Sequence, residues 1–200
     1  MRRGPLLVAL FLAALTLRPQ LVGVGPLLPA IQDDLGVSHA VAGLLGTIPV
    51  LCMGVFAPPA PYLVARAGSR LAVAAAVLAV GTFGVMRAVC PGAAGVVLLT
   101  IPVGIGMGLA GAMLPVAVKE RFADRPGFAT GVYTAGMTVG SAVAAAGAGP
   151  LSHLGNGWRT PLLVFAAVSV ALGILWLVLT RAEPRHVRLD ARPLRLPLRN

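Results

Sequence analysis

The sequence is poor in charged, acidic and aromatic residues. Only 11% of its 200 residues are charged, six are acidic and 5% are aromatic, whereas 58% are hydrophobic. A mean hydropathy of +0.90 excludes an ordinary water-soluble domain and predicts a membrane protein. The net charge of +10 would favour nucleic acid in a soluble domain. Here the basic residues lie mostly between apolar runs, so we expect no nucleic-acid partner.

The chain also lacks the residue sets that most catalytic and metal sites need. Its two cysteines, Cys52 and Cys90, lie in or near apolar runs and have no metal-ligand spacing. The sequence shows no paired carboxylates and no nucleophile with a base. We therefore expect no disulfide framework, no metal, no cofactor and no enzymatic activity.

Apolar runs divide the sequence into six candidate spans. The first begins like a signal peptide, with Arg2 and Arg3 before an apolar stretch, but no cleavage site follows and the apolar character resumes after Pro19. About 20 apolar residues are needed to cross the hydrocarbon core as a helix. We predict an all-α membrane domain over residues 1–180 and a basic tail or central linker over 181–200, with spans at about 5–31, 40–63, 71–90, 95–118, 128–150 and 161–180.

The positions of lysine and arginine predict the orientation of this domain. If the N-terminus is cytoplasmic, thirteen of the sixteen basic residues fall on the cytoplasmic side. This bias predicts that both termini are cytoplasmic, in a bacterial inner membrane. Trp158 and Trp176 bracket the sixth span, where we expect them to mark the two lipid interfaces.

Glycine is frequent within the spans, which is typical of helices that pack closely. Gly104, Gly108 and Gly111 predict a smooth face on the fourth span, and Gly136 with Gly140 predicts another on the fifth. The form G-x-x-L-P occurs in the first span at 25–29 and in the fourth at 111–115. Because these spans would run in opposite directions, the repeated pattern favours a 3+3 inverted repeat.

Arg18 is the most informative position in the sequence. The apolar runs 5–17 and 21–31 are each too short to span alone, which places Arg18 near the middle of one long helix. A charge there costs about 2.5–3.5 kcal/mol on insertion scales and usually faces a cavity or a partner. No acidic residue lies within the six predicted spans. We interpret Arg18 as a ligand for an anionic solute; the alternative is a structural hydrogen bond to carbonyls freed by Pro19 or Pro26.

Three further residues are candidate substrate contacts. Thr47 and Tyr133 supply hydroxyl groups in the second and fifth spans, although membrane hydroxyls often bond to their own helix. Arg87 ends the third span, where it either snorkels to the outer interface or lines the substrate entrance.

An ordered set of segments resembles the cyanate/nitroimidazole porter family of the major facilitator superfamily. The similar segments cover nearly the whole chain: Leu17-Arg18-Pro19, Val24-Gly25-Pro26-Leu27-Leu28, Asp34-Leu35-Gly36-Val37-Ser38, Ala42-Gly43-Leu44-Leu45, Pro49-Val50-Leu51-Cys52, Leu114-Pro115, Thr130-Gly131-Val132-Tyr133-Thr134 and Gly157-Trp158-Arg159. The resemblance implies six helices forming the N-terminal half of that fold. It also implies transport of a small anion or small polar solute, such as cyanate, by alternating access.

The same resemblance exposes departures. The cytoplasmic gating loop of the superfamily is represented by Arg66, Gly68 and Arg70, but Ala65 stands where its aspartate is usual. Members have twelve helices, so this sequence supplies one wall of the substrate path. We therefore expect membrane lipid and a second six-helix half, either an identical copy or a separate chain, as partners. The alternatives are a truncated or non-transporting membrane protein that acts as an interaction partner, and efflux of a small organic compound.

Overall fold

The fold consists of six rods made from eight α-helices and one 3₁₀ turn. A computed structural model describes residues 3–181, and within that range it contains helices and turns but no strand. Arg2 and the basic tail from residue 182 onward lie outside the described residues. The elements are α1 (Arg3–Leu15), α2 (Pro19–Val22), a 3₁₀ turn (Gly25–Leu27), α3 (Leu28–Leu35), α4 (His39–Phe56), α5 (Ala60–Val89), α6 (Ala93–Arg121), α7 (Pro126–Ser152) and α8 (Arg159–Leu179).

The first rod is a broken helix that runs through α1, α2, the 3₁₀ turn and α3. Pro19 lacks the N–H that would bond the Leu15 carbonyl, so α1 ends there and only one short turn, α2, follows. Pro26 interrupts the chain again in the 3₁₀ turn. The last segment continues to Leu35 and so includes Asp33 and Asp34, which the sequence had placed outside the span. Proline therefore divides this rod near its middle.

Five of the six rods are long and apolar enough to cross a membrane. They are the broken rod from Gly4 to Leu35 together with α4, α5, α6 and α8. The remaining helix, α7, has 27 residues, but glycine, alanine, serine and threonine replace many larger apolar side chains in it. A helix of this composition suits burial against other helices better than exposure to lipid. Its role as a sixth span stays a prediction.

Two helix pairs run parallel and approach closely at glycines. A Cβ atom at Gly136 of α7 would lie 2.5 Å from the Phe11 carbonyl oxygen, and one at Gly140 would meet the Leu15 carbonyl. On α6, a Cβ at Gly104 would lie 2.7 Å from the Cα of Pro49, and one at Gly108 would lie 2.8 Å from the Cα of Met53. The predicted smooth faces thus pack α7 on α1 and α6 on α4, whereas Gly111 has no neighbour within 4 Å.

The third major contact is antiparallel and joins α5 to α8. A Cβ at Gly81 would meet Val170, and one at Gly173 would meet Leu78, so rising numbers on one helix match falling numbers on the other. If the first, second and third rods are exchanged with the fourth, fifth and sixth, α1 takes the place of α6, α4 that of α7 and α5 that of α8. This exchange turns the α1–α7 contact into the α6–α4 contact and leaves the α5–α8 contact unchanged. This contact pattern is that of a 3+3 inverted repeat.

The connection between α4 and α5 differs from the prediction of one span over 40–63. Helix α4 ends at Phe56 because Pro58 and Pro59 follow it, and α5 begins at Ala60. The predicted break near residues 66–70 is instead a kink at Gly68, whose φ of 81° and ψ of 148° are not helical. Only glycine adopts such angles readily, so the kink depends on this residue.

Both tryptophans are buried inside the bundle, so the prediction that they sit at lipid interfaces is wrong. Trp158 is 2% exposed and Trp176 is 1% exposed. The Nε1 group of Trp158 donates to Asp34 at 2.9 Å, and that of Trp176 donates to the Arg70 carbonyl at 3.0 Å. Each indole N–H has found a partner on another helix, which is what a buried tryptophan requires.

Candidate functional site

Arg18 lies at the break in the first rod, in the turn between α1 and α2. It precedes Pro19, near the middle of the segment from Gly4 to Leu35. Its main-chain carbonyl accepts from the N–H groups of Leu21 and Val22 at 3.0 and 2.9 Å. Its side chain is half-buried and makes no hydrogen bond or ion pair within residues 3–181. The alternative of a structural bond to a freed carbonyl is therefore not what the structure shows.

Arg87 is placed quite differently, because its side chain is only 1% exposed. It does not snorkel. One terminal nitrogen, Nη2, donates to the Gln20 side-chain oxygen at 2.6 Å and to the Gln20 carbonyl at 3.2 Å. The other, Nη1, donates to the Thr100 hydroxyl at 3.5 Å. Arg87 thus joins α5 to α2 and α6 through neutral oxygen atoms.

Gln20 is the residue that sequence reasoning missed in this cluster. It is fully buried, and its Nε2 group donates to the Leu162 carbonyl of α8 at 3.2 Å. A signal was present, because Gln20 is an amide inside a predicted apolar span and lies two positions after Arg18. No sequence pattern, however, places it against Arg87, which is 67 residues away.

Thr47 and Tyr133 lie apart from Arg18 in different ways. Thr47 is exposed on α4 and its hydroxyl donates to the Gly43 carbonyl of its own helix at 3.0 Å. Tyr133 is half-buried and packs against the core cluster that contains Trp176. Since Gly140 is level with Leu15, Arg18 is level with the region near residue 143, about 15 Å beyond Tyr133 along α7. The three side chains therefore do not form one tight cluster.

Small and hydroxyl residues are exposed on both α4 and α7. On α4 they are Gly43, Thr47 and Gly54, and on α7 they are Gly131, Thr134 and Thr138. The two helices are equivalent in the inverted repeat. Larger apolar side chains are exposed on all three of these helices, among them Val50 and Val55 on α4, Phe128 and Val143 on α7, and Val168 and Val178 on α8. Bulky apolar residues suit lipid, whereas small and hydroxyl residues suit helix–helix contact or a polar path.

The predicted gating loop forms a basic cluster at one end of α5. Arg66 donates to the Tyr62 hydroxyl at 3.1 Å, and Arg70 donates to the Leu177 carbonyl of α8 at 2.9 Å. Ser69 accepts a 3.0 Å bond from Arg121 of α6. Gly68 provides the kink between Arg66 and Ser69. The segment thus locks the ends of three helices together without the aspartate that Ala65 replaces.

The opposite end of the bundle carries an ion pair between Arg159 and Asp34, with an N–O distance of 3.1 Å. Arg159 also donates to the Cys90 carbonyl at 2.6 Å and lies 4.3 Å from the centre of the Trp158 ring. A pocket of about 650 Å³ adjoins it, lined by Ala88, Val89, Pro91, Gly155, Asn156, Arg159, Thr160 and Leu163. Among the described residues, no three His, Cys, Asp or Glu side chains could together hold a metal ion.

The comparison with known families decides how this bundle is classified. The Major Facilitator Superfamily profile matches residues 6–200. The chain belongs to this superfamily. It is a multi-pass membrane protein, and its all-helical bundle is that of half a major facilitator fold. The prediction of a non-enzymatic protein is also confirmed, because this is a family of transporters.

Individual relatives within the superfamily agree with the resemblance seen in the sequence. The chain is 31% identical over 171 residues to the cyanate transport protein of Escherichia coli K12, which covers 86% of this chain and 44% of the relative. It is 29% identical over 196 residues to the 2-nitroimidazole transporter of the same organism, covering 92% and 47%. An uncharacterized transporter of Bacillus subtilis 168 is 27% identical over 173 residues, covering 86% and 43%. The chain thus spans about half the length of these major facilitator relatives.

Proposed function

We propose that this chain forms one wall of a secondary transporter that moves a small anion or small polar solute across a bacterial inner membrane by alternating access. The observation that carries the proposal is Arg18. Its guanidinium is half-buried near the middle of a membrane span and has no protein partner within residues 3–181. A charge in such a place is costly unless something neutralises it, and a bound anion would do so.

The chemistry of the guanidinium favours a particular class of solute. Its planar set of N–H donors forms strong paired hydrogen bonds to anions and to groups with two oxygens in one plane. Cyanate carries one negative charge, which is shared between its terminal oxygen and its terminal nitrogen. A nitro group offers two coplanar oxygens without a net charge. The names of the two Escherichia coli relatives therefore supply two probes that the same side chain could bind.

Thr47 and Tyr133 are proposed as further substrate contacts along the path. Thr47 is exposed on α4. Tyr133 is on α7, about 15 Å along the helix axis from the level of Arg18. This offset between the two backbone positions along the helix axis favours contact of a small solute with Arg18 and with Tyr133 at separate points of the path. We propose that Tyr133 contacts the solute at a different stage of its passage.

A second six-helix half is the proposed partner, because one bundle encloses only one side of a path. The exposed small and hydroxyl residues on α4 and α7, which lie among larger exposed apolar ones, support this arrangement because small residues allow close helix–helix contact. The partner would be a second copy or a separate chain. With both termini cytoplasmic, the cluster of Arg66, Gly68 and Arg70 would lie at the cytoplasmic end, where it would take part in gating.

The experiment is uptake of labelled cyanate and labelled 2-nitroimidazole into vesicles that contain the chain. Wild type is compared with Arg18→Ala and Arg18→Lys, and Arg125→Ala is the control for an exposed arginine on a loop. Loss of a charge-assisted hydrogen bond costs about 1.5–3 kcal/mol, so uptake by Arg18→Ala should fall about 10- to 100-fold. Arg18→Lys should retain part of the uptake of the charged probe.

Equal uptake by wild type and Arg18→Ala would refute the role given to Arg18. Uptake of 2-nitroimidazole without cyanate uptake would favour transport of a small organic compound. Absence of uptake by every version would favour the alternative of a non-transporting membrane protein, and co-expression with a second six-helix half would then test whether the path needs completing.

A further inference from the structure

Arg87 lies in a cluster of buried polar side chains, which the packing of the helices does not by itself require. Arg87, Gln20 and Thr100 are each at most 1% exposed. All the oxygen atoms that accept from Arg87 are neutral. Burying a guanidinium without a counter-ion is expensive, and apolar residues of similar size often replace buried charges at no cost in stability. The role of Arg87 is therefore better inferred from the groups that it binds than from its contribution to the stability of the fold.

Arg87 binds α2, the part of the first rod that is too short to be a stable helix on its own. Helix α2 has only four residues, too few to be stable alone. The Val24 N–H donates to the Leu21 carbonyl at 3.3 Å, in a 3₁₀ pattern that leaves the Gln20 carbonyl to Arg87. Arg87 takes this carbonyl and the Gln20 side-chain oxygen together, and the Gln20 amide donates onward to Leu162. Helices α5 and α8 therefore fix the rotation of the short segment about its own axis.

That rotation also determines where Arg18 points. Residues two positions apart on a helix are separated by about 200° around the axis, so Arg18 and Gln20 face nearly opposite directions. The burial agrees, because Gln20 is fully buried whereas Arg18 is partly exposed. Holding Gln20 against α5 and α8 thus turns the Arg18 side chain away from them.

We infer that Arg87 is a positioning residue: through Gln20 it clamps the broken segment of the first rod so that the Arg18 guanidinium, which has no partner among the described residues, is presented to the solute. The anion-binding role of Arg18 in this inference rests on the proposed function. Arg87 itself does not touch the solute, in contrast to the expectation from the sequence that it lines the substrate entrance.

The first test measures the exposure of position 18 and does not depend on any substrate. In a Cys52→Ala, Cys90→Ser background, Arg18→Cys is reacted with the small anionic thiol reagent 2-sulfonatoethyl methanethiosulfonate. Adding Arg87→Met should change the reaction rate at least about threefold, because the segment can then rotate. Ser169→Ala is the matched control, since Ser169 is a buried hydroxyl on α8 that bonds only its own helix, to the Phe165 carbonyl at 2.9 Å. The control should leave the rate unchanged, and an unchanged rate in Arg87→Met would overturn the inference.

The second test is a double-mutant cycle on cyanate binding to the purified chain. Arg87→Met should weaken binding about tenfold when Arg18 is present and should have no further effect in Arg18→Ala, because its influence passes through Arg18. Equal, additive losses in both backgrounds would instead indicate a direct contact or a purely structural role. Lysine at position 87 keeps the charge but not the planar fork, so Arg87→Lys should bind with intermediate affinity. Full affinity in Arg87→Lys would show that charge alone matters and would overturn the clamp.

A folding defect can be separated from loss of the clamp. Arg87→Met leaves the Gln20 side-chain oxygen without its donor, so the double variant Arg87→Met, Gln20→Met removes both polar groups together. This variant should fold with near wild-type thermal stability and still show the altered reaction rate at position 18. If it folds and its position 18 reacts like wild type, the inference fails. If wild type binds no cyanate while the reaction rates change as expected, the proposed function fails and the clamp stands.

Discussion

The packing of α7 on α1 can be tested with one methyl group. A Cβ atom added at Gly136 would lie 2.5 Å from the carbonyl oxygen of Phe11 and 3.2 Å from the Cβ of Ala14. The nearer atom belongs to the backbone of another helix, so no side-chain rotation can relieve the overlap and the helices must separate. Overpacking of this kind costs about 1–3 kcal/mol, against a gain of about 0.5–1 kcal/mol for alanine over glycine in a helix.

Because the clash is with backbone, we expect the upper half of that cost, so the net loss for Gly136→Ala is about 1–2.5 kcal/mol and the midpoint of thermal unfolding should fall by about 2–10 °C for a chain of this size. The matched control is Gly131→Ala on the same helix, where a Cβ would meet nothing within 4 Å. That variant should be as stable as wild type or slightly more stable. In a Cys90→Ser background, unfolding can be followed in detergent with a maleimide that fluoresces on reacting with a thiol, because Cys52 is only 8% exposed in the folded bundle whereas Cys90 is partly exposed. Equal midpoints for the two variants would refute the close α1–α7 approach.

Three further variants and one control variant test the ends of the bundle in the same assay. Gly68→Ala should lose about 1–3 kcal/mol because φ of 81° is unfavourable for alanine. The control Gly111→Ala within α6, where a Cβ would meet nothing within 4 Å, should be as stable as wild type or slightly more stable; equal effects would contradict a required kink. Asp34→Asn should cost less than about 1 kcal/mol because the Asp34 side chain is 50% exposed. Arg159→Met should cost more, since it also loses the bond to the Cys90 carbonyl, and the reverse order would contradict this ranking.

Much of the fold could be predicted from the chain alone because membrane insertion leaves few options. Hydrocarbon cannot satisfy exposed backbone groups, so long apolar runs must become helices. Composition therefore indicated the class. The sequence predicted one long helix through Arg18, whereas Pro19 divides that rod into α1 and α2 in the structure. Glycine spacing indicated the close helix faces at Gly104, Gly108, Gly136 and Gly140. These signals are local, and each can be read within a few helical turns.

The predictions that failed or changed concern residues whose role depends on distant partners. The tryptophans were expected at lipid interfaces, but Asp34 and the Arg70 carbonyl supply partners inside the protein, 124 and 106 residues away in sequence. The snorkelling alternative for Arg87 failed for the same reason, since Gln20 offers its oxygen atoms in the interior. Charge and hydropathy do not say which helix lies behind a polar residue.

What the sequence by itself determined is therefore the class of protein, the approximate rods and the presence of a costly guanidinium at position 18. Only the tertiary structure decided that Arg18 is half-buried with no partner in the part of the chain that the structure describes, while Arg87 is fully buried and bonded to neutral oxygens. Both are arginines within apolar surroundings, so their local sequences look alike. Their difference arises from how α2, α5 and α8 pack around Gln20, and such packing depends on contacts between segments far apart along the chain.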